Sequence, residues 1–176
     1  GLDLLNEAGY EIEIFPGTPP VPRAILLDKV AEADALLTDV DDMIDEEVIN
    51  IASRLKVVSN NAVGYDNIDI DFAGKNNIAV CNTPGVLGES VADFTWGLMI
   101  ATARFIPHAV NNVLTGGWTR FDPIPFLGFD LYQRTLGIVG LGEIGTAVAK
   151  RAVGFDMRIL YFSKTRKYQL ENQYGL

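Results

Sequence analysis

The run Gly140-Leu141-Gly142-Glu143-Ile144-Gly145 constrains the fold of this chain more than any other feature. A GxGxxG string alone is a weak signal, because a chain with 17 glycines can produce one by chance. Its setting decides. Leu136-Gly137-Ile138-Val139 directly before it has the short apolar pattern of a buried strand, and Ile144, Ala147, Val148, Ala152 and Val153 recur on one helical face after it. Between such a strand and helix, Gly140 permits a tight turn and Gly142 lets the backbone come close to a pyrophosphate. Gly145 allows helix and strand to pack closely, while unpaired N–H groups at the helix start face the phosphates. The alternative is a plain strand-to-helix turn with no ligand. In this setting the run reads as the opening of a dinucleotide-binding Rossmann unit.

The second strand of such a unit ends at the residue that reads the adenosine ribose, about 20 positions further on. Here the apolar run Ile159-Leu160-Tyr161-Phe162 delivers Ser163 to that place. An Asp or Glu would bond the ribose 2′-hydroxyl and repel a 2′-phosphate. Ser163-Lys164-Thr165-Arg166-Lys167 offers two hydroxyls and three cations instead, which favours NADP(H) and leaves NAD open. A solvated basic loop is the competing explanation. Charge is uneven in the same sense: residues 1–130 carry 20 acids and 7 bases, whereas residues 131–176 carry 3 acids and 7 bases, within a net charge of −9. The acidic part argues against wrapping nucleic acid.

With 176 residues, the chain has room for one or two domains at about 150 residues each. Short apolar runs at Glu11–Phe15, Ala35–Thr38, Lys56–Ser59 and Ile78–Cys81 read as strands, alternating with helical patterns at Ile25–Ala33, Asp45–Ala52 and Asp69–Lys75. Such alternation predicts a parallel sheet. Gly1–Ala8 reads as a further helix. Glu89–Arg104 reads as one long helix, apolar through Val91, Phe94, Leu98 and Ala101, and so expected to be buried between layers or between domains. A second sheet begins at Thr135–Gly140, followed by a helix at Glu143–Phe155 and a strand at Met157–Phe162. A dinucleotide fold is usually built from two βαβαβ halves, so the pattern reads as a fragment. The expected division is residues 1–84 and 85–176. The longest apolar stretch, around Trp96 to Ala103, is far short of the roughly 18 to 20 residues of a membrane crossing. Cys81 is the single cysteine, which suits a reducing cytoplasm and reads as a small strand residue.

Other candidates are weaker. Asp39, Asp41 and Asp42 cluster after a predicted strand, as in a receiver-like pocket for a divalent ion or phosphoryl group, but Asp41 or Asp42 near a helix N-cap is the plainer reading. No metal site is assigned. His108, the sole histidine, has no acid, Ser or Cys in an obvious relay and reads as a structural histidine rather than a catalytic base.

Three segments in order resemble the D-2-hydroxyacid dehydrogenase family, especially its glyoxylate and hydroxypyruvate reductase branch. They are Asn61-Ala62-Val63-Gly64-Tyr65-Asp66-Asn67-Ile68-Asp69, then Asn82-Thr83-Pro84-Gly85-Val86-Leu87 leading into Ser90-Val91-Ala92-Asp93, and finally Gly140–Gly145 with Tyr161–Lys167. The resemblance implies a flavodoxin-like substrate domain followed by the first half of a Rossmann domain, with Glu89–Arg104 as the helix between them. It also implies that Val63 and Gly64 offer backbone N–H groups to a substrate carboxylate, where a missing side chain lets the anion approach. Leu141–Ile144 would contact the pyrophosphate and Ser163–Arg166 the adenosine end. The family's catalytic Arg and its His–Glu pair would lie beyond Leu176, so no catalytic residue is assigned, and neither Arg104 nor His108 matches those motifs. The expected activity of the full-length protein is NADPH-dependent reduction of a small 2-oxo acid, as a homodimer, with the present chain inactive alone. A nucleotide-sensing co-repressor of the same family is the alternative.

Overall fold

The computed structural model describes all 176 residues, and the chain divides into two compact units, Gly1–Pro84 and Gly85–Leu176. In the first unit, helix α1 (Leu2–Glu7) is followed by α2 (Arg23–Val30), β1 (Ala35–Thr38), α3 (Glu46–Ile51), β2 (Val57–Asn60), α4 (Ile70–Lys75) and β3 (Ala79–Cys81). The three strands are parallel in the order β1-β2-β3, with Leu36 beside Val58 and Thr38 beside Asn60. A parallel pair needs a crossover, and α3 and α4 supply the two crossovers. Leu26, Val30, Ile44, Val48, Val58, Ile68, Ala73 and Ile78 fill the core between helices and sheet.

Two helix starts explain themselves locally. Asp45 accepts a hydrogen bond from the Val48 N–H at 3.1 Å, and Asp69 accepts one from the Phe72 N–H at 2.9 Å, each satisfying a donor that the first turn leaves unpaired. The cap of α3 is therefore Asp45, not Asp41 or Asp42. The Asp42 carboxylate is nearly buried and accepts instead from the N–H groups of Val21 (2.9 Å) and Asp39 (3.1 Å).

Glu11–Phe15, expected as a strand, belongs to no ladder. Its alternating pattern is suitable, but a strand exists only with a partner, and β1 pairs with β2 alone. Ile14 stays exposed.

In the second unit the order is α5 (Gly88–Ala103), α6 (Ile106–Leu114), a 3₁₀ turn at Ile124–Phe126, β4 (Thr135–Val139), α7 (Glu143–Ala152), a 3₁₀ turn at Val153–Phe155, β5 (Arg158–Phe162) and α8 (Tyr168–Tyr174). Strands β4 and β5 are parallel, with Leu136 beside Ile159 and Val139 beside Phe162. The long helix corrects the expectation about its buried face. Gly88, Ala92 and Trp96 are the buried stripe of α5, whereas Phe94 and Leu98 are 68% and 53% exposed. The stripe is chosen by α7. Trp96 donates from Nε1 to the Val148 carbonyl at 3.1 Å and stacks on Phe155 at 4.5 Å, and Arg151 bonds Asp93 at 2.6 Å along the rim. Helix α6 is not marked in the sequence reading. Phe105, in the left-handed region at φ 52°, breaks the chain between α5 and α6, and Pro107 sits in the first turn of the new helix. No helix is long and apolar enough to cross a membrane.

Candidate functional site

The turn after β4 is built from backbone. Gly140 extends the ladder by one bond, donating its N–H to the Phe162 carbonyl at 2.8 Å, and then turns the chain with φ 94°, a conformation open to glycine. Leu141 plugs the core beneath at 1% exposure. Gly142 caps α7 in extended conformation, with open space where a Cβ would stand. Gly145 is different. A Cβ there would collide with the Gly140 carbonyl oxygen and meet the Ile138 Cγ2 at 3.3 Å, so close packing of helix on strand excludes a side chain.

Helix α7 makes its first capping bond from the Thr146 N–H to the Gly142 carbonyl at 2.9 Å. The N–H groups of Leu141, Gly142, Glu143, Ile144 and Gly145 therefore donate to no protein acceptor. Five successive donors at the positive end of a helix form an anion cradle, and the residues present suit a pyrophosphate. The Glu143 side chain turns toward Gly88 of α5 and leaves its own N–H free.

Beyond β5 the structure adds partners that the sequence reading missed. Arg166 is bound by Glu171 of α8: Nε donates to one carboxylate oxygen and Nη2 to the other, both at 2.9 Å. Tyr161 donates its hydroxyl to the same carboxylate at 2.5 Å and accepts the Lys167 N–H at 2.9 Å. Arg166 first and Tyr161 second hold the Glu171 carboxyl below its usual range, and the Glu171 contact raises the Tyr161 phenol. An acid thus stands near the Ser163–Lys167 loop after all, with both oxygens engaged. Arg166 and Glu171 are five positions apart, and no local pattern announces the pair. Ser163 is half-buried, and Lys164 and Thr165 are exposed beside it.

In the first unit, Val63 and Gly64 lie in the loop that leaves β2. Side-chain amides hold this loop. Asn60, fully buried, donates from Nδ2 to the Gly64 carbonyl at 2.8 Å and to Asn67 Oδ1 at 3.0 Å, while its Oδ1 accepts the Thr38 hydroxyl at 3.0 Å. Asn67 donates to the Asp42 carbonyl at 2.9 Å, and Asn82 donates to the Val63 carbonyl at 2.8 Å. Ile44 closes the far side, bonding the Asn67 carbonyl at 2.8 Å and the Asp69 N–H at 2.9 Å. The register of β1 on β2 places Thr38 beside Asn60 at the carboxyl ends of the strands, where parallel sheets bind ligands. Gly64 needs no special backbone conformation; a Cβ there would meet only Asp66 Oδ2, at 3.7 Å.

His108 is exposed on α6, edge-on to the Phe105 ring at 5.9 Å, rather than packed as a core residue. It borders a groove of about 670 Å³ with Asn111 and Phe126.

A family model for the catalytic domain of D-isomer specific 2-hydroxyacid dehydrogenases matches residues 1–169. The chain is 48% identical over 177 residues to a glyoxylate reductase of Thermococcus gammatolerans, covering 98% of this chain and 53% of that protein. A crystal structure of a Thermus thermophilus protein superposes with a TM-score of 0.90 at 43% identity, covering 94% of this chain and 53% of the other. D-lactate dehydrogenase from Aquifex aeolicus, solved with NAD and lactic acid, gives a TM-score of 0.83 at 25% identity, covering 98% and 51%. The chain thus spans about half the length of the relatives it matches.

Proposed function

Because this chain belongs to the D-isomer specific 2-hydroxyacid dehydrogenases, we propose that it supplies the phosphate cradle and the carboxylate loop of an enzyme that reduces glyoxylate or hydroxypyruvate with NADPH. Residues 1–84 serve as the substrate domain. Residues 85–176 serve as the first part of the dinucleotide-binding domain, with α5 as the helix that enters it. The full-length protein works as a cytoplasmic homodimer.

The observation that carries this reading is the run of five unbonded N–H groups from Leu141 to Gly145, set at the start of a ten-residue helix. A pyrophosphate there gains those donors and the helix dipole together. Leu141, Gly142, Glu143, Ile144 and Gly145 hold it through their N–H groups, and Gly140, whose own N–H is bonded to Phe162, turns the chain into them. Ser163, Lys164, Thr165 and Arg166 take the adenosine end, where the cations suit a 2′-phosphate. Bound nicotinamide supplies the hydride for the keto carbon. Val63 and Gly64 hold the substrate carboxylate through their N–H groups, which orients the keto group and converts part of an encounter problem into a positioned one. Protonation of the keto oxygen is assigned to no residue of this chain, so the isolated chain binds without turnover.

Calorimetric titration of the chain with NADPH and NADH tests the reading. Tighter NADPH binding, by about tenfold or 1.4 kcal/mol, is expected. Equal affinities reject the NADP preference, absence of binding by either rejects the nucleotide site, and glyoxylate reduction by this polypeptide alone rejects its assignment as a binding half.

A further inference from the structure

Three successive carbonyls in the loop after β2 are tied to the protein by three different donors. The Ala62 oxygen accepts the Thr83 N–H, the Val63 oxygen accepts Asn82 Nδ2 and the Gly64 oxygen accepts Asn60 Nδ2, each at 2.8 Å. A trans peptide is planar, with its C=O and the following N–H pointing in opposite directions. The one cis bond in the chain is Pro19-Pro20, so the rule applies throughout this loop. Anchoring the carbonyls of residues 62, 63 and 64 therefore turns the N–H groups of Val63, Gly64 and Tyr65 away from the anchors. None of the three donates to a protein acceptor, and Gly64 and Tyr65 are exposed.

We propose that Asn60 and Asn82 are positioning residues that orient the Gly64 and Tyr65 N–H groups toward the carboxylate of a small 2-oxo acid, making Tyr65 N–H a further donor of that site. The inference rests on the carboxylate reading of the Val63-Gly64 loop and adds what sets its direction. Strand β2 ends at Asn60 and β3 at Cys81, and the last backbone bond between their continuations runs from the Thr83 N–H to the Ala62 carbonyl. The two side-chain amides continue the pinning that the ladder no longer provides. Asn60 is itself immobilised by Thr38 and Asn67, and a buried amide satisfied on both ends has one orientation available. Asn82 acts from the neighbouring strand end, beside a recess of about 220 Å³ that it lines with Tyr65, Val80 and Cys81.

The test is a ¹H–¹⁵N NMR titration of the chain with sodium glyoxylate, reading the Val63, Gly64 and Tyr65 amides in the wild type, Asn82→Ala and Asn82→Gln. The wild-type Gly64 and Tyr65 amides are expected to shift saturably. Asn82→Ala should raise the dissociation constant about 3- to 10-fold, the value of one hydrogen bond. Asn82→Gln, which keeps an amide donor, should recover part of that loss, while the thermal midpoints of all three stay alike. If Asn82→Ala unfolds the first unit, Asn82→Leu carries the same test, being close in size, uncharged and unable to donate. Wild-type affinity in the non-donating variant, or no recovery in Asn82→Gln, overturns the positioning role alone. Silence of the wild-type amides overturns it together with the carboxylate reading.

Discussion

Arg166 and Glu171 form a two-pronged ion pair across the loop that leaves β5, with both bonds at 2.9 Å and the guanidinium 4.6 Å from the Tyr168 ring centroid. The pair uses Nε and one hydrogen of Nη2. Nη1 and the second Nη2 hydrogen remain for an anion, presented by a side chain that is already ordered. Arg166→Ala is therefore expected to weaken NADPH binding by about tenfold or more, the range of a charge-assisted hydrogen bond, and to leave NADH nearly unaffected. Calorimetric titration of both nucleotides checks this, and equal weakening removes Arg166 from the 2′-phosphate site.

The same pair sets a pH dependence. Arg166 holds the Glu171 carboxyl below its ordinary value. A carboxyl depressed on folding contributes stability that is present above its unfolded pKa, about 4.3, and lost as pH falls through the folded value. Glu171→Gln should flatten that part of the acid limb. Urea melts of wild type and variant at descending pH should converge; a variant that loses stability more steeply than the wild type contradicts the pairing.

Gly145 and Gly142 separate packing from binding. Gly145→Ala places a methyl against the Gly140 carbonyl, backbone that cannot rotate aside, and should destabilise the second unit by about 1–3 kcal/mol. Gly142→Ala meets open space, so stability should hold within about 0.5 kcal/mol. Its NADPH affinity should nonetheless fall, because in the proposed cradle the methyl would intrude where a phosphate is to approach. Paired denaturation and nucleotide titrations distinguish the two; a Gly142→Ala variant that binds normally argues against close approach at that residue.

Trp96 is the largest side chain between α5 and α7. Trp96→Ala should cost about 3–5 kcal/mol through the cavity it leaves. Trp96→Phe keeps a ring against Phe155 and loses the bond to the Val148 carbonyl, for about 1 kcal/mol. Chemical denaturation followed by far-UV circular dichroism gives both values, and equal losses would show that the indole N–H, not the ring, dominates.

How far the sequence reaches is visible in three places. The β4-turn-α7-β5 unit was legible because its signals are local: period two into period 3.6, with glycines where the backbone turns and where helix meets strand. The buried face of α5 was not, since a helix apolar on most sides has no preferred stripe until α7 and the 3₁₀ turn after it present Trp96 with a carbonyl acceptor and a ring to stack on. Glu11–Phe15 has a strand's alternation and no partner, and pairing is a property of the neighbour.

For the candidate sites, the sequence by itself determined the glycine turn, the absence of an acid at Ser163 and the Val63-Gly64 loop, because each is written in consecutive residues. Tertiary structure alone decided what holds them. Asn82 reaches Val63 from 19 positions away, Asn60 is joined to Thr38 by strand register, and Glu171 meets Arg166 through the packing of α8. A hydrogen bond depends on distance in space and on which groups folding has already desolvated, and neither quantity exists along the chain until the strands have paired and the helices have covered them.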